Sequence, residues 1–399
     1  MAWLEVMVTF GEANYNVLPC CLKITLERST DPRLCMKVTL NHAGNGDCIL
    51  VESENSSILI DGGTASSYSV WKNVIQSKTQ LDAIVVTHID SDHINGVIKL
   101  IEDQDSPQIG KMFYNGAEQI LGFESNDFNY PDDDKFESLH EKFTTIDSEI
   151  KIGTSEATSL SYILKCKNIN INPEAIHNAM DEKLKIGDFL ISVLSPTLES
   201  LQRLKFEWID TLEEEGIKRK IINKSHSLAF ESYISQLKDI YVENISDDYY
   251  HDIESLSNYN YQRDTSLNNE TSIALLLECD EKKLLSMGDC HTEVITAWLD
   301  FHGIDIIEVD AIKLSHHGSN KNINIDFLKR VKCNTFLIST DGSKFKHPDL
   351  ETIALISKLS PNSKIIINEK IKHINQNFVD AIYNYSSTEL LLDVKEVYL

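Results

Sequence analysis

Val85-Val86-Thr87-His88-Ile89-Asp90-Ser91-Asp92-His93-Ile94-Asn95-Gly96 is the stretch whose reading decides the fold. His88, Asp90, Asp92 and His93 fall within six residues, directly after the apolar run 83–86. The pattern predicts a short buried strand over 83–87 and the start of a helix over 94–101. The four polar side chains then sit on a strand-to-helix turn, where carboxylate and imidazole heads can converge on one point. Two Asp and two His gathered there are costly to desolvate without a cation among them. Imidazole nitrogen with carboxylate oxygen suits zinc, manganese or iron.

Outward from this turn, the 399 residues can bury a large core and hold one large domain or two to three ordinary ones. An apolar fraction of 42% and a charged fraction of 25% are those of a soluble globular chain. No apolar run approaches the ~20 residues that span a bilayer, and no Lys or Arg precedes Lys23, so the N-terminus lacks the basic start of a secretory signal. A cytoplasmic location and no membrane partner are the expectations. Eight scattered cysteines without a CxxC pair argue against a zinc ribbon, a thioredoxin-like site or a disulfide framework. The net charge of −25 disfavours non-specific adhesion to nucleic acid or anionic membrane. It does not exclude a phosphate substrate, because bound divalent cations invert the local field. The basic run Lys218-Arg219-Lys220, followed by Lys224 and His226, reads as a solvated helix face rather than a nucleic-acid contact.

Met36 opens an ordered pattern. Strands are expected at 37–41, 48–52 and 57–60, with the turn Gly44-Asn45-Gly46-Asp47 between the first two. Residues 1–35 lack such order and form an N-terminal extension, so the main domain is placed at 36–399. Residues 102–135 read as acidic surface loop and 136–186 as mainly helical. A strand is expected at 189–194, then a mostly helical stretch at 198–262, where Leu198, Leu201, Leu204 and Trp208 recur at helical spacing. Strands resume at 272–278, 283–287, 310–315, 335–340 and 364–367, with a helix at 349–359. Sheets at the centre with helices outside follow from this mixture.

Four further polar clusters lie at strand ends: Asp61-Gly62-Gly63, Gly288-Asp289, His316-His317-Gly318-Ser319, and Lys344-Phe345-Lys346-His347-Pro348. Each alone is an ordinary turn sequence. Their joint occurrence in this order, after His88-x-Asp90-x-Asp92-His93, carries the argument.

With that set, the sequence resembles the metallo-β-lactamase fold superfamily, and within it the soluble hydrolase domain of the bacterial DNA-uptake channel protein ComEC and its stand-alone relatives. The shared features are an Asp replacing the second His of the usual HxHxDH and the later GD, HHGS and HP elements. The resemblance spans roughly residues 36–368, apart from 198–262, which looks like an inserted helical segment. It implies an α/β (α+β) fold, a four-layer αββα sandwich with a helical insertion. It also implies that Asp61 orders the metal turn, that His88 and Asp90 hold one metal, and that Asp92 and His93 hold a second. Asp289 would bridge the two. One of His316 and His317, the first preferred, would complete the second metal's shell, and His347 would lie over the cleft. Where most of the superfamily carries a further metal-binding His, this chain has Asn268-Asn269-Glu270-Thr271-Ser272. Asn268 is therefore expected to support the site structurally, the first metal to be weakly held, and His251 to be a remote substitute ligand.

The chemistry expected from this ligand set is hydrolysis by metal-bound hydroxide, with one or two divalent metals (Zn or Mn) lowering the pKa of water towards ~7. Asp92 and Asp289 are assigned to it as ligands. His347 and Lys313 are donors to the developing charge, and Ser319, His317 and Lys346 are substrate contacts. Three functions stay open. The first is a phosphodiesterase or nuclease acting on a nucleic acid or nucleotide, with or without a protein partner that delivers it. The second is an ester, thioester or lactone hydrolase on the same metals. The third is a degenerate metal-binding regulator. The inserted segment is expected to form a lobe near the cleft that governs access rather than chemistry.

Overall fold

Strand Ser57–Ile60 is buried along its whole length, and its side chains divide between two cores. Ile58 and Ile60 point to one apolar cluster and Leu59 to another. Gln80–Val85 repeats the division, with Ala83 and Val85 on one side and Ile84 on the other. A strand apolar on both faces belongs at the centre of a layered fold, covered above and below. The description that follows comes from a computed structural model, covers residues 36–145, 159–180, 182–237 and 252–399, and concerns the unit Leu34–Leu399. The expected extension 1–35 and His251 lie outside the described residues.

Two sheets carry the molecule. The first has six strands in the order Glu396–Tyr398, Lys37–Leu40, Ile49–Glu52, Ser57–Ile60, Gln80–Val85, Gln108–Phe113. Its early strands form an antiparallel meander, and the pairings of Ser57–Ile60 with Gln80–Val85 and of that strand with Gln108–Phe113 are parallel. The second has eight strands in the order Glu389–Leu392, Lys364–Ile367, Thr335–Ile338, Ala311–Lys313, Lys282–Ser286, Ala274–Cys279, Phe189–Ser195, Leu184–Ile186. Between the sheets lies a core to which Val38, Val51, Ile60 and Val85 come from the first and Ile191, Leu275, Leu284 and Leu337 from the second. Outside the first sheet, Trp71, Ile75 and Val97 of helices Tyr68–Gln76 and Ser91–Glu102 pack on Leu50, Leu59 and Ile84. Outside the second, Ile295, Phe327, Ile353 and Phe378 of four helices pack on Leu276, Leu285, Ile312 and Ile365. The result is the four-layer αββα arrangement.

Two expectations change. Residues 102–135 are not plain loop: they hold the edge strand Gln108–Phe113, helix Ala117–Leu121 and the start of helix Asp133–Thr145. The edge strand escapes a reading by pattern because its first four residues are exposed or half-buried, so polar residues break the apolar run. The helical stretch from 198 is also no detached lobe. Its helices Leu198–Glu214 and Lys224–Ile234 bring Leu201, Leu204, Trp208, Ala229 and Phe230 into the cluster that covers the first sheet. Buried Glu231 accepts hydrogen bonds from Ser159 Oγ (2.8 Å) and from the backbone N–H of Leu160 (2.9 Å) and Ser161 (3.0 Å), tying this segment to helix Leu160–Cys166. The basic run is not a helix face either. Lys218, Arg219 and Lys220 lie between elements, and Arg219 is spent on Asp132 (2.6 Å) and Asp133 (2.5 Å) while its guanidinium lies 4.4 Å from the Tyr130 ring centre.

Candidate metal centre

Asp61 ends its strand at φ 57°, a left-handed conformation that aims its carboxylate back across the first sheet. One oxygen accepts from the Thr87 N–H (2.8 Å); the other accepts from the Thr87 hydroxyl (2.7 Å) and from His93 Nδ1 (2.8 Å). The Thr87 proton is thereby committed, so the 3.0 Å contact between Thr87 Oγ1 and His88 Nδ1 has the imidazole as donor. His317 Nδ1 donates in turn to the Ser339 carbonyl at 2.9 Å. Three rings thus have their Nδ1 protons tied back, leaving three Nε2 atoms to face inward.

They face Asp289. Its Oδ2 lies 3.4 Å from His93 Nε2, 3.6 Å from His317 Nε2 and 3.8 Å from His88 Nε2. Asp92 Oδ2 is 4.0 Å from His317 Nε2. Ligand atoms of His88, His93 and Asp289 form one mutually close group, and those of Asp92, His93 and His317 another, each with all separations within 4.8 Å. Tetrahedral coordination with ligand bonds of ~2.0–2.2 Å separates its ligands by about 3.4 Å. His88 Nε2, His93 Nε2 and Asp289 Oδ1 are buried without a hydrogen-bond partner. Buried polar atoms left that way are costly. Lone pairs aimed inward at this spacing, on nitrogen and oxygen donors, fit a divalent cation.

The electrostatics agree. Burial works against a charge on His93, yet Asp289 and Asp61 on either side hold its imidazole well above the ordinary range. Burial, followed by the neighbouring His93, pulls His88 down to about 4. Burial opposes the charge of Asp289, but His317 and His93 outweigh it and hold the carboxyl well below its usual value.

Packing explains why the turn comes so close. A Cβ at Gly96 would lie 1.8 Å from the Gly62 carbonyl oxygen, and one at Gly46 would lie 1.7 Å from the Asp92 carbonyl oxygen. Both approaches need glycine. They bring the start of helix Ser91–Glu102 against two loops, and Asn45 Nδ2 reaches Asp92 Oδ2 at 2.5 Å.

Other expected residues fall elsewhere. Asp90 caps the helix, its Oδ1 accepting from the Ser91 N–H at 2.8 Å, and is absent from the ligand groups of the described residues. Of the histidine pair, His317 joins the groups, whereas the preferred His316 turns its Nδ1 to Asn322 Oδ1 (3.0 Å) and lies 3.6 Å from Asp264. Both residues have positive φ, 47° and 55°, and this tight turn sets their rings 68° apart in plane. Burial depresses His316, but Asp264 and Asp289 carry it up to about 9. Lys313, expected as a donor to substrate, is fully buried; its Nζ pairs with Asp47 and donates to the Gly288 carbonyl at 3.2 Å. Ser319 is buried too, and its Oγ accepts from the Lys321 N–H at 3.3 Å, so it faces its own turn rather than a substrate. His347 is buried with its ring centre 5.3 Å from that of His316 and its Nδ1 3.6 Å from Asp349. Burial holds its imidazole below the ordinary range. Lys346 beside it is exposed. Asn268 is buried, its Nδ2 donating to the Ile89 carbonyl of the metal turn at 3.3 Å, with its Oδ1 unpartnered. Ser272 Oγ lies 3.3 Å from His88 Nδ1 and accepts from the Asp289 N–H at 3.0 Å.

Two carboxylates escaped the sequence reading. Asp264 gathers Asn269 (2.7 Å), Asn322 (3.0 Å), His316 and His291 beside the site, and nothing in its local sequence marks it. Asp47 ends the Gly44-Asn45-Gly46-Asp47 turn, where Asp is common and reads as turn chemistry. Its place before the apolar run 48–51 marks it only as a turn residue at a strand entry.

Solved structures similar to this chain include the metallo-β-lactamase fold protein YhfI from Bacillus subtilis, at 14% identity and a TM-score of 0.37 over 91% of this chain and 97% of that one. Zn(2+)-bound PqqB from Methylobacterium extorquens matches at 11% identity and a TM-score of 0.37, over 91% and 100% of the two chains. A diphosphatase from the PhnP family matches at 10% identity and a TM-score of 0.34, over 91% and 98%. The family model of the metallo-beta-lactamase superfamily matches residues 43–112, so it is to this superfamily that the part of the chain bearing Asp61, His88, Asp92 and His93 is similar.

Proposed function

We propose that this chain is a metal-dependent hydrolase, and that its substrates are phosphodiesters of nucleotides or nucleic acid. The observation that carries the first part is the convergence of three imidazole Nε2 atoms on Asp289, with His88 Nε2, His93 Nε2 and Asp289 Oδ1 lacking any hydrogen-bond partner. His88, His93, Asp92, Asp289 and His317 would hold one or two divalent cations, zinc or manganese by donor type. Such a cation supplies Lewis acidity towards an anionic oxygen and acidifies bound water.

The chain's own residues supply the rest. Asp61 and Thr87 lock the tautomers of His93 and His88, so no reorganisation is needed when substrate arrives. His347, whose ring lies 5.3 Å from His316 and 6.4 Å from His317, stands at the edge of the cluster, where it can contact a leaving group or developing charge. Exposed Lys346 and half-exposed Lys344 precede it in the chain and favour an anionic substrate, which is what supports phosphodiesters over neutral esters.

Activity on bis-aryl phosphate and on labelled oligonucleotide, measured before and after chelation, tests this reading. Hydrolysis should vanish with EDTA and return with Mn²⁺ or Zn²⁺. His88→Ala and Asp92→Ala should each lower turnover by orders of magnitude. His347→Ala should cost ~10²-fold with metal content unchanged. Cleavage of thioesters or lactones without any phosphodiester turnover would replace the phosphate assignment with its ester alternative. Metal binding without turnover on either class would leave a regulator.

A further inference from the structure

His93 and His317 are oriented by comparable devices. His93 has Asp61 behind it, bonded to Nδ1 while Nε2 faces Asp289. His317 has its Nδ1 on the Ser339 carbonyl at 2.9 Å, and 3.3 Å from the same nitrogen lies Asp47 Oδ1. Asp47 therefore lies against the Nδ1 side of the imidazole, where it can orient the ring, and its carboxylate also comes within 4.8 Å of a ligand atom of Asp289. Asp47 Oδ1 has no partner that meets hydrogen-bond geometry, while Oδ2 is paired with Lys313 Nζ. Both residues are fully buried, and Lys313 also donates to the Gly288 carbonyl, the residue before Asp289.

From this we infer that the Asp47–Lys313 pair is a positioning device of the metal centre, fixing His317 through Asp47 and the Asp289 turn through Lys313. The inference rests on the metal-centre reading above. A buried ion pair contributes little net stability compared with apolar residues of similar volume, so stability alone is a weak reason for one to lie between the two sheets. Its contacts give another reason. One partner touches a ligand and the other touches the backbone of a second ligand's turn. Orienting partners of this kind typically change metal affinity by about 10–100-fold when removed.

The test uses the full chain, with Zn²⁺ and Co²⁺ as probes. Asp47→Asn, Lys313→Met and the double variant are compared with wild type by chelator-competition affinity, by the visible spectrum of the Co²⁺ form and by melting of the metal-free protein. The expected result is a loss of metal affinity of about 10–100-fold in each single variant. The Co²⁺ spectrum should change, and the double variant should lose no more than the worse single one, because the two residues act as one unit. The double variant, which leaves no unpaired buried charge, keeps the test decisive where a single variant fails to fold. Wild-type affinity and an unchanged Co²⁺ spectrum in Asp47→Asn, or in the double variant, would overturn the inference alone. Failure of the wild type to bind either ion would overturn the metal-centre reading beneath it.

Discussion

At the scale of single residues, the decisive fact is that adjacent histidines do different work. His317 aims Nε2 at Asp289, whereas His316 is held by Asn322 and lies next to Asp264. Their sequence neighbourhood is the same, and only the left-handed turn at both positions separates them. Two substitutions read this directly. His317→Ala should release metal on dialysis, while His316→Ala should keep the wild-type stoichiometry by elemental analysis. The reverse result would restore His316 as the ligand. Asp61→Asn belongs to the same scale: it keeps the shape but weakens the acceptor that fixes His93. Metal affinity should fall about 10–100-fold in a chelator titration.

At the scale of elements, the approach of helix Ser91–Glu102 to the loop after Ser57–Ile60 is set by Gly62 and Gly96. Gly96→Ala places a methyl where the Gly62 carbonyl oxygen already is, so the helix bearing Asp92 and His93 must move. A loss of about 3 kcal/mol or more is expected, with reduced metal content, read by denaturant melting and elemental analysis. Helix Lys224–Ile234 supplies a second case. His226 is buried, its ring stacked 4.5 Å from Phe136, accepting from Trp208 Nε1 (3.0 Å) and bonded through Nδ1 to the Ile221 carbonyl (2.8 Å). Burial pulls its imidazole down to about 4. Since the folded value lies below the unfolded one, near 6.5, the unfolded chain binds the proton more tightly. This contribution is therefore complete above pH 6.5 and is lost as pH falls towards 4, on the order of 3 kcal/mol in all. Stability should fall over that window, and His226→Phe should flatten that part of the profile while lowering stability at pH 7, because the Trp208 indole loses its acceptor.

At the scale of the whole molecule, the helices after 198 and those at 133–166 share one core over the outer face of the first sheet. Trp208 and Phe230 are fully buried in it. Removal of 198–237 would uncover Phe136, Leu139 and Leu160 of the helices it packs on, and fully burying each such side chain is worth about 1.5–3 kcal/mol. A deletion variant bridged by a short linker should show no cooperative unfolding transition. Retention of metal and a cooperative melt would show instead that the segment is the lobe near the cleft expected from its sequence. The same interlocking makes the metal centre a product of both sheets. Asp61, His88 and His93 follow strands of the first, while Asp289 and His317 follow strands of the second.

By itself the sequence determined the layered fold and pointed to His88, Asp92, His93, Asp289 and the pair His316-His317 as one group. Apolar runs that end just before Thr87-His88 and Gly288-Asp289 put those groups at strand ends, because a strand apolar on both faces has nowhere else to place charge, and Asp92 and His93 follow in the first turn of the next helix. Local chemistry of that kind is written in consecutive residues. Tertiary structure alone decided which of His316 and His317 faces inward, that Asp90 caps a helix, and that Lys313 serves Asp47 rather than substrate. It alone brought in Asp47 and Asp264, and it alone merged the segment after 198 with the core. The reason is physical: a ring's direction depends on one pair of dihedral angles, and a buried charge's partner can lie 266 residues away, as Asp47 does from Lys313. Neither leaves a trace in the local pattern of polar and apolar residues.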